Sequence, residues 1–238
     1  MAIPQETDPP GDVVREALRI AARVLAEDAV KELAGDLLDF RKALKIAIRQ
    51  RQDDEDQTIL ADGALNSRTA ATNSEIIAFG TKLVGRFVLP GKPGSEHPEF
   101  LRLFAERPPS ALLPDIRVDR TLALTEFSAR IALRRTSAEV KRDAVGVQKA
   151  IARELAAVAT RAEAQARLDL ALESEAAAKT AVILAARSCA GHLQARLPAE
   201  PRRVRRLLGQ KLGGPGRKKA KPDESDAPPP PEENKPAT

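Results

Sequence analysis

Residues 90–114 read PGKPGSEHPEFLRLFAERPPSALLP and contain six of the chain's 18 prolines. On either side lie two long segments without proline, residues 11–89 and 115–197. Proline in a helix interior costs about 3 kcal/mol, because it removes a backbone donor and clashes with the preceding turn. Two proline-free segments of similar length around a proline-rich connector therefore predict two helical arms that pack antiparallel.

The second arm also has the composition of a packed helix. Residues 129–200 include 22 alanines, and alanine is the best helix former. Small or apolar residues recur there in alternating steps of four and three, the spacing of a coiled-coil seam. This predicted seam comprises Leu172, Ala176, Lys179, Ile183, Ala186, Ala190, Leu193 and Leu197. The sequence thus predicts an all-α protein, an elongated antiparallel helical hairpin or four-helix bundle with coiled-coil-like, alanine-rich packing.

Proline and charge boundaries divide the chain into five predicted segments. They are a disordered N-terminus at 1–11, a first helical arm at 12–89, a connector at 90–115, a second arm at 116–197, and a disordered tail at 198–238. The tail is first basic and then acidic and proline-rich, a composition typical of disorder. The connector is expected to carry a short helix at about 98–106, with Phe100 and Phe104 covering the end of the arms.

Two positions are candidate helix breaks within the arms. At 35–36, a glycine precedes an aspartate, the order expected where one helix ends and another is capped. Near 160, Thr160 and Glu163 have the spacing of a capping box. A break near 160 would give the four-helix form, and an unbroken arm would give the hairpin.

The composition argues against most enzyme classes. The chain has 238 residues, only two histidines, one cysteine, and no tryptophan or tyrosine. Cys189 and His192 lie three residues apart on one helix face, but a zinc site needs three or four protein ligands. We therefore interpret Cys189 as a core thiol with a histidine at its rim. No phosphate-loop, dinucleotide-binding or nucleophile-elbow motif is found, so the chain is predicted to be non-enzymatic, without metal or cofactor.

The sequence shows no targeting or membrane-spanning signal. The N-terminal residues lack the basic and apolar regions of a secretory signal, and the apolar stretch at 181–186 is far shorter than the roughly 20 residues that cross a bilayer. A single cysteine also fits a reducing compartment. A cytoplasmic location is expected.

The excess positive charge lies in one short block. Residues 1–200 hold 29 basic and 29 acidic side chains, whereas residues 201–221 hold nine basic and no acidic ones. The nine are Arg202, Arg203, Arg205, Arg206, Lys211, Arg217, Lys218, Lys219 and Lys221. A block of this kind favours an anionic partner. The predicted function is a helical scaffold or interaction protein whose tail binds nucleic acid without sequence specificity.

Two other functions remain open from the sequence. The protein could be purely structural, oligomerising or binding a protein partner through its arms, with a tail that only keeps it soluble. Alternatively, the tail could bind an anionic membrane surface, since Val204, Leu207, Leu208 and Leu212 give residues 202–212 an apolar side.

A second basic stripe, in the second arm, is expected to serve a different purpose. It comprises Arg135, Arg142, Lys149 and Arg153. We interpret it as a device that sets the register of the two arms through opposite charges, in preference to a groove for nucleic acid.

Overall fold

The computed structural model describes residues 3–88, 90–105, 107–111 and 117–209, which form seven α-helices. They are α1 (Pro10–Leu25), α2 (Gly35–Arg86), α3 (Pro98–Phe104), α4 (Arg117–Ala132), α5 (Ala138–Asp143), α6 (Val145–Arg196) and α7 (Pro201–Leu207). Short 3-10 turns occupy Lys31–Ala34, Gly94–Glu96 and Pro109–Ala111. The predicted all-α class is confirmed.

The two long helices pack antiparallel along their length. Both α2 and α6 have 52 residues, which corresponds to about 78 Å at the α-helical rise. Ion pairs join Arg51 to Glu175 at 2.8 Å and Lys82 to Asp143 at 2.9 Å. Residue numbers therefore rise along α2 as they fall along α6, which confirms the predicted antiparallel arms.

Apolar side chains are concentrated in a cluster at each end of this pair. Cluster 1 joins α1, the start of α2, the end of α6, and α7. Cluster 2 joins the end of α2, α3, α4, α5 and the start of α6. Between the clusters, the seam of α2 contains Asp54, Thr58 and Ala61, all buried. Each end of the pair therefore has its own core, and the middle is packed mainly by small and polar residues, together with Leu65.

The connector folds back onto cluster 2. Phe100 and Phe104 of α3 are buried against Phe79 of α2 and Phe127 of α4. The ring centroids of Phe104 and Phe100 lie 4.7 Å apart, and those of Phe104 and Phe127 lie 5.3 Å apart. These aromatic residues thus cover the end of the arms, as the sequence led us to expect.

A buried ion pair attaches α4 to the long helices. Arg120 Nε donates to Glu154 Oε1 of α6 at 2.5 Å, and Arg120 Nη2 donates to Glu154 Oε2 at 3.1 Å and to Asn73 Oδ1 of α2 at 2.8 Å. Thr69 Oγ1 of α2 donates to the same carboxylate at 3.1 Å. Arg120 is 7% exposed and Glu154 only 1%. Three helices therefore meet at one buried carboxylate.

The predicted seam of α6 is only partly right. Ile183, Ala186, Ala190 and Leu193 are buried, but Leu172 and Ala176 are exposed. Their preceding neighbours, Ala171 and Glu175, are buried instead. A straight α-helix drifts relative to a strict seven-residue repeat, and the ion pair with Arg51 turns Glu175 towards α2.

The two candidate breaks have different outcomes. α6 continues through residue 160, because Thr160 Oγ1 donates to the carbonyl of Ala156 inside the helix, 3.1 Å away, and caps nothing. A helix boundary does lie at residue 35. The 3-10 turn at Lys31–Ala34 ends with Gly35 as its C-cap, and α2 begins at Gly35, which has a helical φ of −56°. The chain turns earlier, between the end of α1 and the 3-10 turn at Lys31–Ala34.

Parts of both predicted disordered ends are folded. Ile3 packs against cluster 1, and Lys179 Nζ donates to the carbonyl of Glu6 at 2.5 Å. At the other end, residues 201–207 form α7, because Val204, Leu207 and Leu208 are spaced to bury one side of a helix in cluster 1. The rest of the predicted disordered tail, from residue 210, lies outside the described residues.

Substituting Gly94 with alanine is expected to lower the free energy of unfolding by about 1–3 kcal/mol. Gly94 is buried, and an added Cβ would overlap the backbone carbonyl of Val84 in α2, which cannot move aside as a side chain could. Gly63→Ala is the control, because nothing lies within 4 Å of its Cβ position in the α2 interior. The free energy of unfolding of that control should rise by about 0.5–1 kcal/mol. Equal urea midpoints for the two variants would contradict the prediction.

Candidate functional site

The basic block begins on a helix that is fixed to the folded protein. Val204, Leu207 and Leu208 are each no more than 3% exposed and belong to cluster 1. Because these three side chains are buried in cluster 1, the arginines of α7 lie on the other faces of the helix. The block is therefore mounted on the end of the long helices over residues 202–206.

Arg203 is committed to ion pairs within the protein. Its guanidinium pairs with Glu27, just after α1, and donates to Glu200 Oε2 at 3.0 Å. The hydrogen bond from Arg203 holds the pKa of Glu27 below its ordinary value, and the bonds to Glu27 and Glu200 raise the pKa of Arg203. Arg203 thus fastens α7 to α1 and is the least accessible arginine of the four.

The other three arginines of α7 are exposed. Arg202 and Arg206 line a shallow groove of about 540 Å³ beside Pro201. Arg205 lies in a second groove, of about 310 Å³, with Gln194 at the end of α6. Arg206 also comes within 3.7 Å of Glu27, whereas Arg202 and Arg205 form no ion pair with any residue that the structure describes. These side chains can accept phosphate or carboxylate groups from a partner.

The remaining predicted site residues fall in the segment after Gly209, outside the described residues. They are Lys211, Arg217, Lys218, Lys219 and Lys221. The structure therefore brings together four of the nine predicted cations, and one of those four is used internally.

The stripe on the second arm does not set the register of the arms. Arg135, Arg142, Lys149 and Arg153 form no ion pair with another described residue. Pairs between α2 and the second arm are made by other cations, namely Arg51, Lys82, Arg86 and Arg161. Our preferred interpretation of the stripe is wrong, because the ion pairs that connect the two arms use none of its four cations.

Arg68 of α2 joins two of these stripe residues at one groove. The groove measures about 190 Å³ and is lined by Arg68, Lys149 and Arg153, with Thr72 and Ala150 also in its lining. Arg68 was not predicted from the sequence, since no local pattern relates it to residues about 80 positions later. Only the pairing of α2 with α6 brings the three cations together.

A separate groove contains the residues considered for metal or nucleophilic chemistry. Cys189 and His192 line it with Glu32, Asp36 and Phe40, in a volume of about 410 Å³. Burial raises the pKa of the Cys189 thiol, which is 4% exposed, and Glu32 pairs with Arg196. The thiol is therefore protonated at neutral pH and a poor nucleophile, consistent with a core position.

Across the described ranges, no three histidine, cysteine or acidic side chains come together as a metal-ligand set. In the same ranges, no helix is both long enough and apolar enough to cross a bilayer. Comparison with known proteins adds no assignment: no family model matches the chain, and neither a curated protein nor a solved structure matches it.

Proposed function

We propose that the protein is an elongated helical scaffold whose α7 end, with the basic segment that follows it, binds the phosphate backbone of nucleic acid. One observation carries the proposal: α7 is fixed by its apolar side while Arg202, Arg205 and Arg206 remain exposed. Exposed arginines held on a folded support lose less conformational entropy on binding than arginines of a free chain. The five cations that follow Gly209, up to residue 221, extend this surface along the sequence.

Binding of this kind would be independent of base sequence. Reading bases requires side chains that enter a groove or stack on unpaired bases. The two grooves lined by Arg202, Arg205 and Arg206 contain no aromatic side chain, and the chain has no tryptophan or tyrosine. Phosphate contacts alone, at about 0.9 per contact, give a log–log salt slope near −7 if the eight cations other than Arg203 engage.

An anionic membrane surface is the weaker alternative partner. The apolar side that would enter the lipid headgroups comprises Val204, Leu207, Leu208 and Leu212. The first three are buried in cluster 1, and Leu212 lies outside the described residues. Membrane insertion would have to detach α7 from the core, whereas phosphate binding requires no such change.

The experiment compares the natural chain with two variants on a fluorescent duplex of about 30 base pairs, titrated over a range of salt concentrations. Changing Arg202, Arg205 and Arg206 to glutamine together is expected to reduce the magnitude of the salt slope by about 2.7, since three phosphate contacts are lost. A chain ending at Gly209 lacks the five later cations, so the magnitude of its slope should fall by about 4.5. It retains Val204, Leu207 and Leu208, so the core is intact.

The matched control changes three exposed arginines of α2 and α6 to glutamine, Arg49, Arg167 and Arg187. It removes the same charge and should leave the slope of the natural chain nearly unchanged. Equal slopes for the α7 variant and this control would overturn the proposal. Binding equal in the natural chain and the chain ending at Gly209 would restrict the contact to α7. If none of these proteins binds the duplex, the purely structural alternative stands.

A further inference from the structure

Most acidic side chains around the start of α6 are paired within the protein. Glu154 pairs with Arg120, Asp143 with Lys82 and Arg86, and Glu139 with Arg86. Each of these cations comes from α2 or α4. The basic side chains of the same stretch, including Lys149 and Arg153, have no such partner among the described residues. Folding thus uses these three carboxylates internally and leaves Lys149 and Arg153 exposed.

The groove between α2 and α6 gathers part of that charge. Lys149 and Arg153 are one turn apart on α6, and Arg68 reaches the same groove from α2. The groove also contains Gly146 and Ala150, whose small size leaves room between the three cations. Glu75 is the one carboxylate in the lining, at the Gly146 end. The surface is net positive even when this carboxylate is counted.

The size and spread of these cations indicate an extended anion. Pockets for drug-sized ligands measure roughly 300–1,000 Å³, so a groove of about 190 Å³ is small for such a ligand but has room for a phosphate group. Arg142 of α5 and Arg135, in the turn before α5, carry further exposed positive charge earlier in the chain. Residues 149 and 153 are about 6 Å apart along α6, which matches about two successive phosphates of one strand at about 3.4 Å each along the axis.

We infer that Arg68, Lys149 and Arg153 form a second contact for the phosphate backbone of duplex nucleic acid, on the folded body of the protein. This contact is separate from α7. About 65 Å of α6 lies between residue 153 and the end of the helix. Neither the residues nor their exposure depend on the basic tail, so the inference does not rest on the function proposed above. If both contacts exist, a duplex longer than this distance can touch the two ends at once.

The test changes Arg68, Lys149 and Arg153 to glutamine together in the full chain. The probe is the same duplex of about 30 base pairs, roughly 100 Å long. We expect the magnitude of the salt slope to fall by about 2.7, so that a fourfold rise in salt weakens the natural chain about 40-fold more than the variant. Since the three side chains are exposed, the urea midpoint should stay unchanged, which separates lost binding from lost folding.

The control variant at Arg49, Arg167 and Arg187 removes the same charge elsewhere on α2 and α6. If its salt slope falls as much as that of the groove variant, the effect is one of net charge and the inference is overturned. It is also overturned if the groove variant loses binding to vesicles of phosphatidylserine and phosphatidylcholine while keeping its duplex affinity. The α7 variant distinguishes this inference from the proposed function. Either variant can lower the magnitude of the salt slope while the other leaves it unchanged, so each contact is tested separately.

Discussion

Replacing Glu154 with leucine is expected to lower the free energy of unfolding by about 3–5 kcal/mol, because it leaves Arg120 as an unpaired buried cation. Arg120 is 7% exposed and directs both Nε and Nη2 at the Glu154 carboxylate. The remaining acceptors, Asn73 Oδ1 and the Thr69 carbonyl, carry no negative charge to replace it. Urea unfolding followed by circular dichroism measures the change, since urea leaves ion pairs unscreened.

The paired variant tests whether the loss comes from the interaction. Changing Arg120 to methionine together with Glu154→Leu removes both charges, and such replacements are often neutral or stabilising. The double variant should therefore recover most of the lost stability. Arg161→Met is the control, because its pair with Asp62 also joins α6 to α2 but is about one-third exposed. Exposed pairs contribute about 0–1 kcal/mol, and an equally large loss in this control would contradict our account.

Acid should weaken the same contact. Burial of the Glu154 carboxyl raises its pKa, but the hydrogen bond and charge of Arg120 more than offset this, so the pKa lies below its ordinary value. A carboxyl whose pKa is lowered by folding contributes stability that is present above its unfolded pKa and lost as pH falls through its folded pKa. The urea midpoint of the natural chain should therefore fall on acidification below the ordinary glutamate range. The double variant, which lacks this group, should show a smaller fall.

The architecture was accessible from the sequence because proline acts locally. Each proline in residues 90–114 forbids a helix interior where it stands, so their clustering marks the connector without knowledge of tertiary contacts. The buried ion pair was not accessible in this way. Glu154 has the spacing of a seam residue, but its partner Arg120 lies 34 positions earlier, after the connector. No local rule relates the two.

The basic segment likewise has one property that the sequence reveals and one that only the fold reveals. The excess of positive charge at 201–221 is a property of composition and could be counted. The fold of α7 depends on cluster 1, which assembles residues from both ends of the chain, including Val14 and Leu193 as well as Val204. Short helices gain most of their stability from such packing. Local propensity therefore does not predict a seven-residue helix of this kind. Without knowledge of that helix, the sequence does not distinguish Arg203 from its exposed neighbours.

Phe104→Ala is the second substitution with a large expected effect. Phe104 is fully buried, and its ring lies between Phe100 of the same helix and Phe79 and Phe127 of two others. Removing a buried phenyl ring costs about 3–5 kcal/mol through lost burial and the cavity left behind. Phe40→Ala is the matched control, since Phe40 is 42% exposed outside cluster 2. It should cost well under half as much.

The location of the loss is as informative as its size. Cluster 1 and cluster 2 share no residue and are separated by the polar middle of α2 and α6, so damage to cluster 2 should leave cluster 1 closed. Cys189 is buried in cluster 1 and is the chain's single thiol, which makes its labelling rate a specific reporter of that end. In Phe104→Ala we expect helix content to be lost at a lower urea concentration than in the natural chain. Cys189 should stay protected up to the urea concentration at which it becomes labelled in the natural chain. Cys189 could instead become labelled at the same lowered urea concentration at which helix content is lost. That result would show that the two cores unfold as one unit, because the long helices transmit the defect across their full length.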